Sequence, residues 1–310
     1  MSLEIRVLGS GAGGGIPQWN SAGAACTRAR EGDPASPRRT QTCLCVSADR
    51  ERWLLLDASP DLRAQIEQTP VLQPDPSRGP RHTPILGVAL TGADVDRVAG
   101  LLSLRESQPL ALHATDIVHA ALDENSIFDV LSPAQVPRRM LPLDHEIELL
   151  GPNEEPSGLL VEAFVVPGKA PRWLEGRAER SGDPGYTVGL HVRAARGGAS
   201  FHYIPGCAAI TDALRDRLRG AALLFFDGTF FRDDEMITAG AGAKTGRRMG
   251  HVSMSGPRGA MDGWADVGIQ RKVFIHLNNT NPALLADSPE RRVVESRGWE
   301  VAWDGMEIIL

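Results

Sequence analysis

A chain of 310 residues, 42% apolar and 23% charged, has the composition of a globular protein, which excludes collagen-like, disordered and disulfide-framework classes. With 33 basic and 39 acidic side chains the net charge is −6 and no long basic run occurs, so nucleic acid is not an expected partner. The longest apolar stretches, such as 221–226, fall far short of the roughly 20 residues of a membrane helix, and Glu4 and Arg6 interrupt the N-terminal region where a signal peptide is apolar; the expectation is no membrane association and a cytoplasmic protein.

Leu3 to Leu8 alternates apolar and charged residues, the pattern of a half-buried strand. The glycine-rich Gly9 to Gly15 follows. A dinucleotide loop would open a helix on its last glycine, but Ile16-Pro17-Gln18-Trp19-Asn20 continues as loop, which favours a backbone turn packed on a neighbouring strand, with a substrate-facing loop as the second reading. Trp53 to Leu56 and Ile85 to Leu90 are continuous apolar runs, as in strands buried on both faces. The second run meets a corner, Thr91 to Asp96, and a helix predicted from near Ala93 with Val95, Val98, Leu101 and Leu102 as its apolar stripe. Either Asp94 caps this helix and Asp96 complements its dipole, or the two carboxylates hold a divalent cation with a converging histidine.

Ile117, Val118, Ala121 and Leu122 mark a second helix, Ile210, Leu214 and Leu218 a third, and Pro257 and Pro282 suit first helical turns. Further strands are predicted at 159–166, 186–192, 200–204, 222–226 and 273–277, with a closing pair, 299–303 and 306–310, joined as a hairpin at Asp304-Gly305. The Gly- and Pro-rich stretches, 167–185 among them, read as loops, and no linker or repeat divides the chain. The whole of 1–310 is therefore expected to form one layered α/β domain, two mixed sheets covered by helices.

Polar residues gather at later strand ends: Asp227, His251 and His276. A single strand-end histidine is more often structural than ligating, but two of them with Asp227 at equivalent junctions make a site as good a reading as packing. His82, His113, His119, His145, His191 and His202 lack such company. Cys26, Cys43, Cys45 and Cys207 are too few for a secreted scaffold and are packing, metal or redox residues.

Eight segments run in one order from end to end: Gly-Gly-Gly-Ile-Pro-Gln-Trp-Asn (13–20), Leu-Thr-Gly-Ala-Asp-Val-Asp (90–96) with 100–106, Val-Pro-Gly-Lys (166–169), Tyr-Ile-Pro-Gly-Cys (203–207), 226–236, 244–256, Ile-His-Leu-Asn-Asn-Thr-Asn-Pro (275–282) and Trp-Asp-Gly-Met-Glu-Ile (303–308). Together they resemble the PqqB family of pyrroloquinoline quinone (PQQ) biosynthesis proteins. The resemblance implies a metallo-β-lactamase fold, a four-layered αββα sandwich of two mixed β-sheets with a metal site where strand ends of both halves meet. It implies iron-dependent oxygenation of a tyrosine side chain of the PqqA precursor peptide or a derived intermediate. The alternative is a metal-free protein that binds PQQ or its precursor and assists its transport out of the cytoplasm. Other PQQ biosynthesis proteins are the implied partners, and a homodimer is compatible with the sequence.

The wider superfamily places His-x-His-x-Asp-His at the corner after Leu90, and the resembled branch keeps its Asp and last His together with a distant C-terminal His. Asp96 and His276 match two of these positions, but the third is Arg97, which stays protonated and offers a metal no lone pair. The implied catalytic set is Asp96, His276, His251 and Asp227. Asp96, His276 and Asp94 are the candidate ligands for iron or another divalent metal at a degenerate site. An Arg97–Asp96 ion pair in place of the metal would instead make an anion pocket. Arg97, Lys169, Arg247 and Arg248, with Asn278, are the expected contacts to a ligand rich in carboxylates. The Cys-x-Cys-x-x-Cys zinc segment of the family is Ser21, Gly23 and Cys26 here; Cys43 and Cys45, two apart on a strand, share a face and with Cys26 would make a relocated structural zinc site, a disulfide, or ordinary buried thiols.

Overall fold

The computed structural model describes residues 2–174 and 184–310; the part of the predicted 167–185 loop from 175 to 183 lies outside the described residues. One mixed sheet contains β1 (Glu4–Gly9), β2 (Cys43–Ser47), β3 (Trp53–Leu56), β4 (Ile85–Ala89), β5 (Ala111–Ala114), β6 (Arg138–Met140) and the last strand, β14 (Glu307–Ile309), in the order β14-β1-β2-β3-β4-β5-β6. The other contains β7 (Glu146–Leu150), β8 (Pro156–Val165), β9 (Val188–Ala194), β10 (Ser200–Ile204), β11 (Leu223–Asp227), β12 (Arg271–Ile275) and β13 (Glu300–Val301), in the order β13-β12-β11-β10-β9-β8-β7.

Side-chain alternation sorts the apolar residues into three cores. Leu3, Ile5 and Val7 meet Phe201, Tyr203, Phe225 and Ile275 between the sheets. Leu55 and Val88 face outward under Leu62, Val118, Ala121 and Leu122 of the helices Leu62–Gln68 and Asp116–Asp123. Leu224, Phe226 and Phe274 face the opposite helical layer with Trp264, Val294 and Trp299. A strand such as β11 is thus apolar without a break because both of its faces are covered, and the result is the four-layer order helix, sheet, sheet, helix.

Three local expectations change. The helix near Ala93 is a single turn, Val95–Val98, followed by the 3-10 segment Ala99–Leu104. Val95 is exposed, and the stripe that remains is Val98 and Leu101, buried, with Leu102 partly buried against the same core. Gly100 explains the tightening: its N–H donates to Ala58 O at 2.9 Å, and a Cβ there would lie 2.1 Å from Ser59 O, so the chain is pressed directly on backbone. The third helix starts after Ile210, at Asp212–Arg217, capped by Thr211. Pro257 precedes the helix Ala260–Gly263 rather than opening it, whereas Pro282 does open the 3-10 turn Pro282–Leu284.

The closing pair is not a hairpin. β13 pairs in parallel with β12 and β14 pairs antiparallel with β1, so the turn at Asp304-Gly305 carries the chain from one sheet to the other. Asp304 secures this crossing by accepting from Ser10 N (2.9 Å), Ser10 Oγ (2.7 Å), Thr40 N (2.6 Å) and Thr40 Oγ1 (2.8 Å). Asp304→Ala leaves two backbone donors without their acceptor and is expected to lower the unfolding free energy by about 2–4 kcal/mol, read as an earlier urea midpoint, with a smaller loss for Asp304→Asn.

Candidate metal centre

The parallel strands β4, β10, β11 and β12 bring their C-terminal ends to one edge of the sandwich, where ligand sites of α/β sheets form. β11 ends in Asp227, and β12 runs directly into His276, whose φ of 62° lies in the left-handed region. A non-glycine residue is held there only where its surroundings over-determine it. The loop after β1 does so: Leu277 N donates to Ser10 O at 3.0 Å, and Ala12 N donates to Leu277 O at 2.7 Å. The glycine-rich segment therefore acts as close-packed backbone, and Gly13 also reaches the site, since a Cβ there would lie 3.5 Å from Asp96 Oδ2. The helix a nucleotide loop requires is missing at its end; the next helix is Ala24–Arg30.

The acidic corner and the distant histidine meet. His276 Nε2 lies 2.9 Å from Asp96 Oδ2, and His276 Nδ1 lies 2.8 Å from Thr229 Oγ1. Thr229 also approaches Asp227 Oδ1 at 2.6 Å and His251 Nδ1 at 3.0 Å, while His251 Nδ1 lies 2.8 Å from Asp227 Oδ2. The two imidazoles are stacked with centroids 5.4 Å apart. Asp227, His251 and His276 are the one group of three such side chains among the described residues whose ligand atoms lie within 4.8 Å of one another.

Proton counting assigns roles within this cluster. Thr229 has a single O–H, and its shortest partner is the Asp227 carboxylate, so the hydroxyl donates there and accepts from the imidazoles. Both Nδ1 atoms then carry hydrogen and both Nε2 atoms are left as the outward nitrogens. Asp227, fully buried, orients the imidazoles from behind and does not line the cavity. His276 Nε2 facing Asp96 Oδ2 requires either a second proton on the ring or a cation between them. Two ligands at right angles, each about 2.1 Å from a metal, are about 3.0 Å apart, so the observed spacing fits shared ligation. Asp96 and His276 thus have the spacing of two ligands of one divalent ion, and His251 stands on the same cavity wall.

Charge reinforces the arrangement. Burial works against ionised Asp96, but its hydrogen bond to His276 and the charges of His276 and Arg97 hold it down at about 2. Burial likewise opposes the charges on Asp227 and His251, yet their mutual contact lowers the acid and raises the base. Asp94 sits at the N-cap position of Val95–Val98 without a side-chain capping bond, and burial beside Asp96 raises it.

The cluster opens on a cavity of about 640 Å3 lined by Asp94, Asp96, Arg97, Lys169, His251, His276 and Asn278, and by Arg172 and Lys244. A second cavity of about 630 Å3 shares Gly13, Asp94, Asp96 and Arg172 and adds Val95 and Trp173. Arg247 and Arg248 do not line either: the helix Gly246–Met249 turns Met249 inward and leaves both arginines exposed. Nor does Arg97 pair with Asp96. Its Nη1 donates to Thr91 O and Oγ1, and Asp96 is taken by His276.

The thiol site is also corrected. Cys43 and Cys45 are buried on the outer face of β2, Cys26 lies on the helix Ala24–Arg30, where it accepts from Gln18 N, and all four cysteines are free. Among the described residues no metal-ligand group includes them, and they are buried thiols. Two contributors escaped the sequence reading. Thr229 was signalled only by its place two residues after Asp227, and Arg172 only by its nearness to Lys169.

The model of the β-lactamase superfamily domain matches residues 52–277, and with the two seven-stranded sheets it defines a protein of the metallo-β-lactamase fold. The chain is 53% identical to coenzyme PQQ synthesis protein B of Gluconacetobacter diazotrophicus over 308 residues, covering 99% of both, and 51% identical to that of Rhodopseudomonas palustris CGA009, covering 99% of this chain and all of the relative. The crystal structure of zinc-bound PqqB from Methylobacterium extorquens superposes with a TM-score of 0.92 at 48% identity over 98% of this chain and 99% of that one. The chain belongs to the PqqB family of PQQ synthesis proteins. A diphosphatase of the PhnP family, with a TM-score of 0.69 at 20% identity over 100% of this chain and 98% of that one, shares the fold alone.

Metal must displace protons from this cluster. His251 is raised above its ordinary 6.5, so its pairing with Asp227 stabilises the metal-free protein at lower pH and is lost as pH rises through the raised value. Divalent-metal affinity, followed by competition with a chromophoric chelator, is therefore expected to rise with pH and to reach half its full change above pH 6.5.

Proposed function

We propose that the chain acts in the cytoplasmic synthesis of PQQ by metal-dependent oxygenation of a tyrosine side chain, carried by the PqqA precursor peptide or an intermediate derived from it, with iron as the metal. The observation that carries this reading is the convergence of Asp96, His276 and His251 at the wall of one cavity, with Asp227 and Thr229 fixing the imidazole tautomers behind them. Family membership supports the pathway, and the zinc-bound relative supports a divalent cation in this fold.

Asp96 Oδ2, His276 Nε2 and His251 Nε2 would hold the ion. Bound there, iron would supply the activation of dioxygen. The protein's own residues orient the donors and shape the space. Thr229 and Asp227 hold hydrogen on both Nδ1 atoms, so each ring, once its second proton is displaced, would present Nε2 to the ion as a neutral imidazole. Asp94, raised by burial, is placed to hold or release a proton at its carboxyl beside Asp96. A cavity of about 640 Å3 is within the range of small-ligand sites, and Lys169, Arg172 and Asn278 on its wall would position the substrate. Arg97 in a ligand position favours a second reading, a metal-free binding protein for PQQ or its precursor that assists transport.

The test is to load the protein with iron anaerobically, add a tyrosine-containing PqqA peptide and oxygen, and look for a mass gain of one oxygen atom that derives from labelled dioxygen. His276→Ala is expected to lose both iron and product, and Thr229→Val to weaken metal binding by about 10–100-fold while leaving every ligand in place. A protein that takes up no iron but binds the peptide or PQQ equally with chelator present selects the second reading.

A further inference from the structure

Arg97 is 5% exposed and yet forms part of the cavity wall. One arm is fully engaged: Nη1 donates to Thr91 O at 3.1 Å and to Thr91 Oγ1 at 2.7 Å. Thr91 is held in turn, its N–H and O–H donating to Asp57, which also accepts from Tyr203 at 3.1 Å. The other arm is different. Among the described residues Nη2 has no hydrogen-bond acceptor and no carboxylate forms a salt bridge with the guanidinium. A Cβ on Gly206 would lie 2.5 Å from Nη2 and 3.8 Å from His251 Cε1, so this nitrogen rests against bare backbone beside the imidazole. Gly92 opens the slot from the other side, where a Cβ would come 3.0 Å from Nη1.

A guanidinium so deeply withdrawn from water keeps its charge at the expense of hydration, and an unfilled arm facing a cavity is completed most favourably by an anion. Lys169 and Arg172 stand on the same wall and add to the positive potential. Asp94 and Asp96 set the upper limit on ligand charge, because they line the same space and repel a dianionic group more than a singly charged, planar one.

We propose that Arg97 Nη2, beside His251, receives a carboxylate of the substrate, so that the cavity selects molecules carrying an acidic group next to the reacting portion. This deepens the oxygenation reading only in placing the substrate in that cavity.

The probe is glutarate, with neutral glutaramide and inorganic phosphate as comparisons, titrated by calorimetry into the full chain freed of metal by dialysis so that nothing binds through an ion. Glutarate is expected to bind, glutaramide and phosphate at least about tenfold more weakly, and Arg97→Gln to lower glutarate affinity at least about tenfold with a cooperative melt retained, while Arg97→Lys recovers part of it. Should Arg97→Gln not fold, Gly206→Ala, which puts a methyl against Nη2, is expected to weaken glutarate in the same way. Equal binding of glutarate and glutaramide, preference for phosphate, or unchanged glutarate affinity in a folded variant overturns the assignment. Iron uptake without oxygen transfer would remove the oxygenation reading and leave the glutarate result intact, so the two fail separately.

Discussion

The contact between Asp96 Oδ2 and His276 Nε2 joins groups 180 residues apart and is the point on which the rest of the edge is organised. One comes from the corner after β4 and the other from the end of β12, so the contact exists only when the two sheets are stacked in the correct register. Both groups are largely buried, and neither is tolerable there alone as a charge; removing one partner of such a pair costs about 3–5 kcal/mol. The left-handed backbone at His276, the bonds of Leu277 to Ser10 and Ala12, and the missing side chain at Gly13 all serve to hold that contact in place.

Around it lies a second, cationic arrangement. Burial pulls against the Arg97 charge, and the carboxylates of Asp57, Asp94 and Asp96 outweigh that pull and keep it protonated. Asp57 is itself buried, with φ of 63°, and is raised by burial despite Arg97 and its bonds to Thr91. The fold thus surrounds one arginine with acidic groups that touch it through Thr91 or act across space. A positive charge fixed so near the ligands opposes cation binding and favours an anion on the same wall, which sets a protein with this residue apart from one whose corner ends in a neutral imidazole.

How far the sequence disclosed this depends on which forces act locally. Trp53–Leu56 is a strand over the limits its apolar run predicts, because burial on both faces leaves no polar interruption to misread, and Ser200–Ile204 keeps its predicted limits although Ser200 and His202 interrupt it. Arg138–Met140 and Glu146–Leu150 gave no such signal, being short and partly exposed toward the sheet edges. The Asp304-Gly305 turn announced a reversal but not a destination, since the partner of β14 is β1, at the other end of the chain. Asp96, His251, His276 and Asp227 were legible from their places at strand ends. The support of Arg97 was not, because Asp57 and Thr91 meet across 34 residues and nothing in either segment names the other.

The four thiols have a practical meaning beyond packing. All are buried, and burial raises Cys43, Cys45 and Cys207 above the ordinary range, so the reactive thiolate is scarce and shielded. An alkylating reagent gains them only when the surrounding layers part. Because Cys43 and Cys45 lie under one helical layer while Cys207 belongs to the core under the other, the order in which they are modified would report which half of the sandwich opens first.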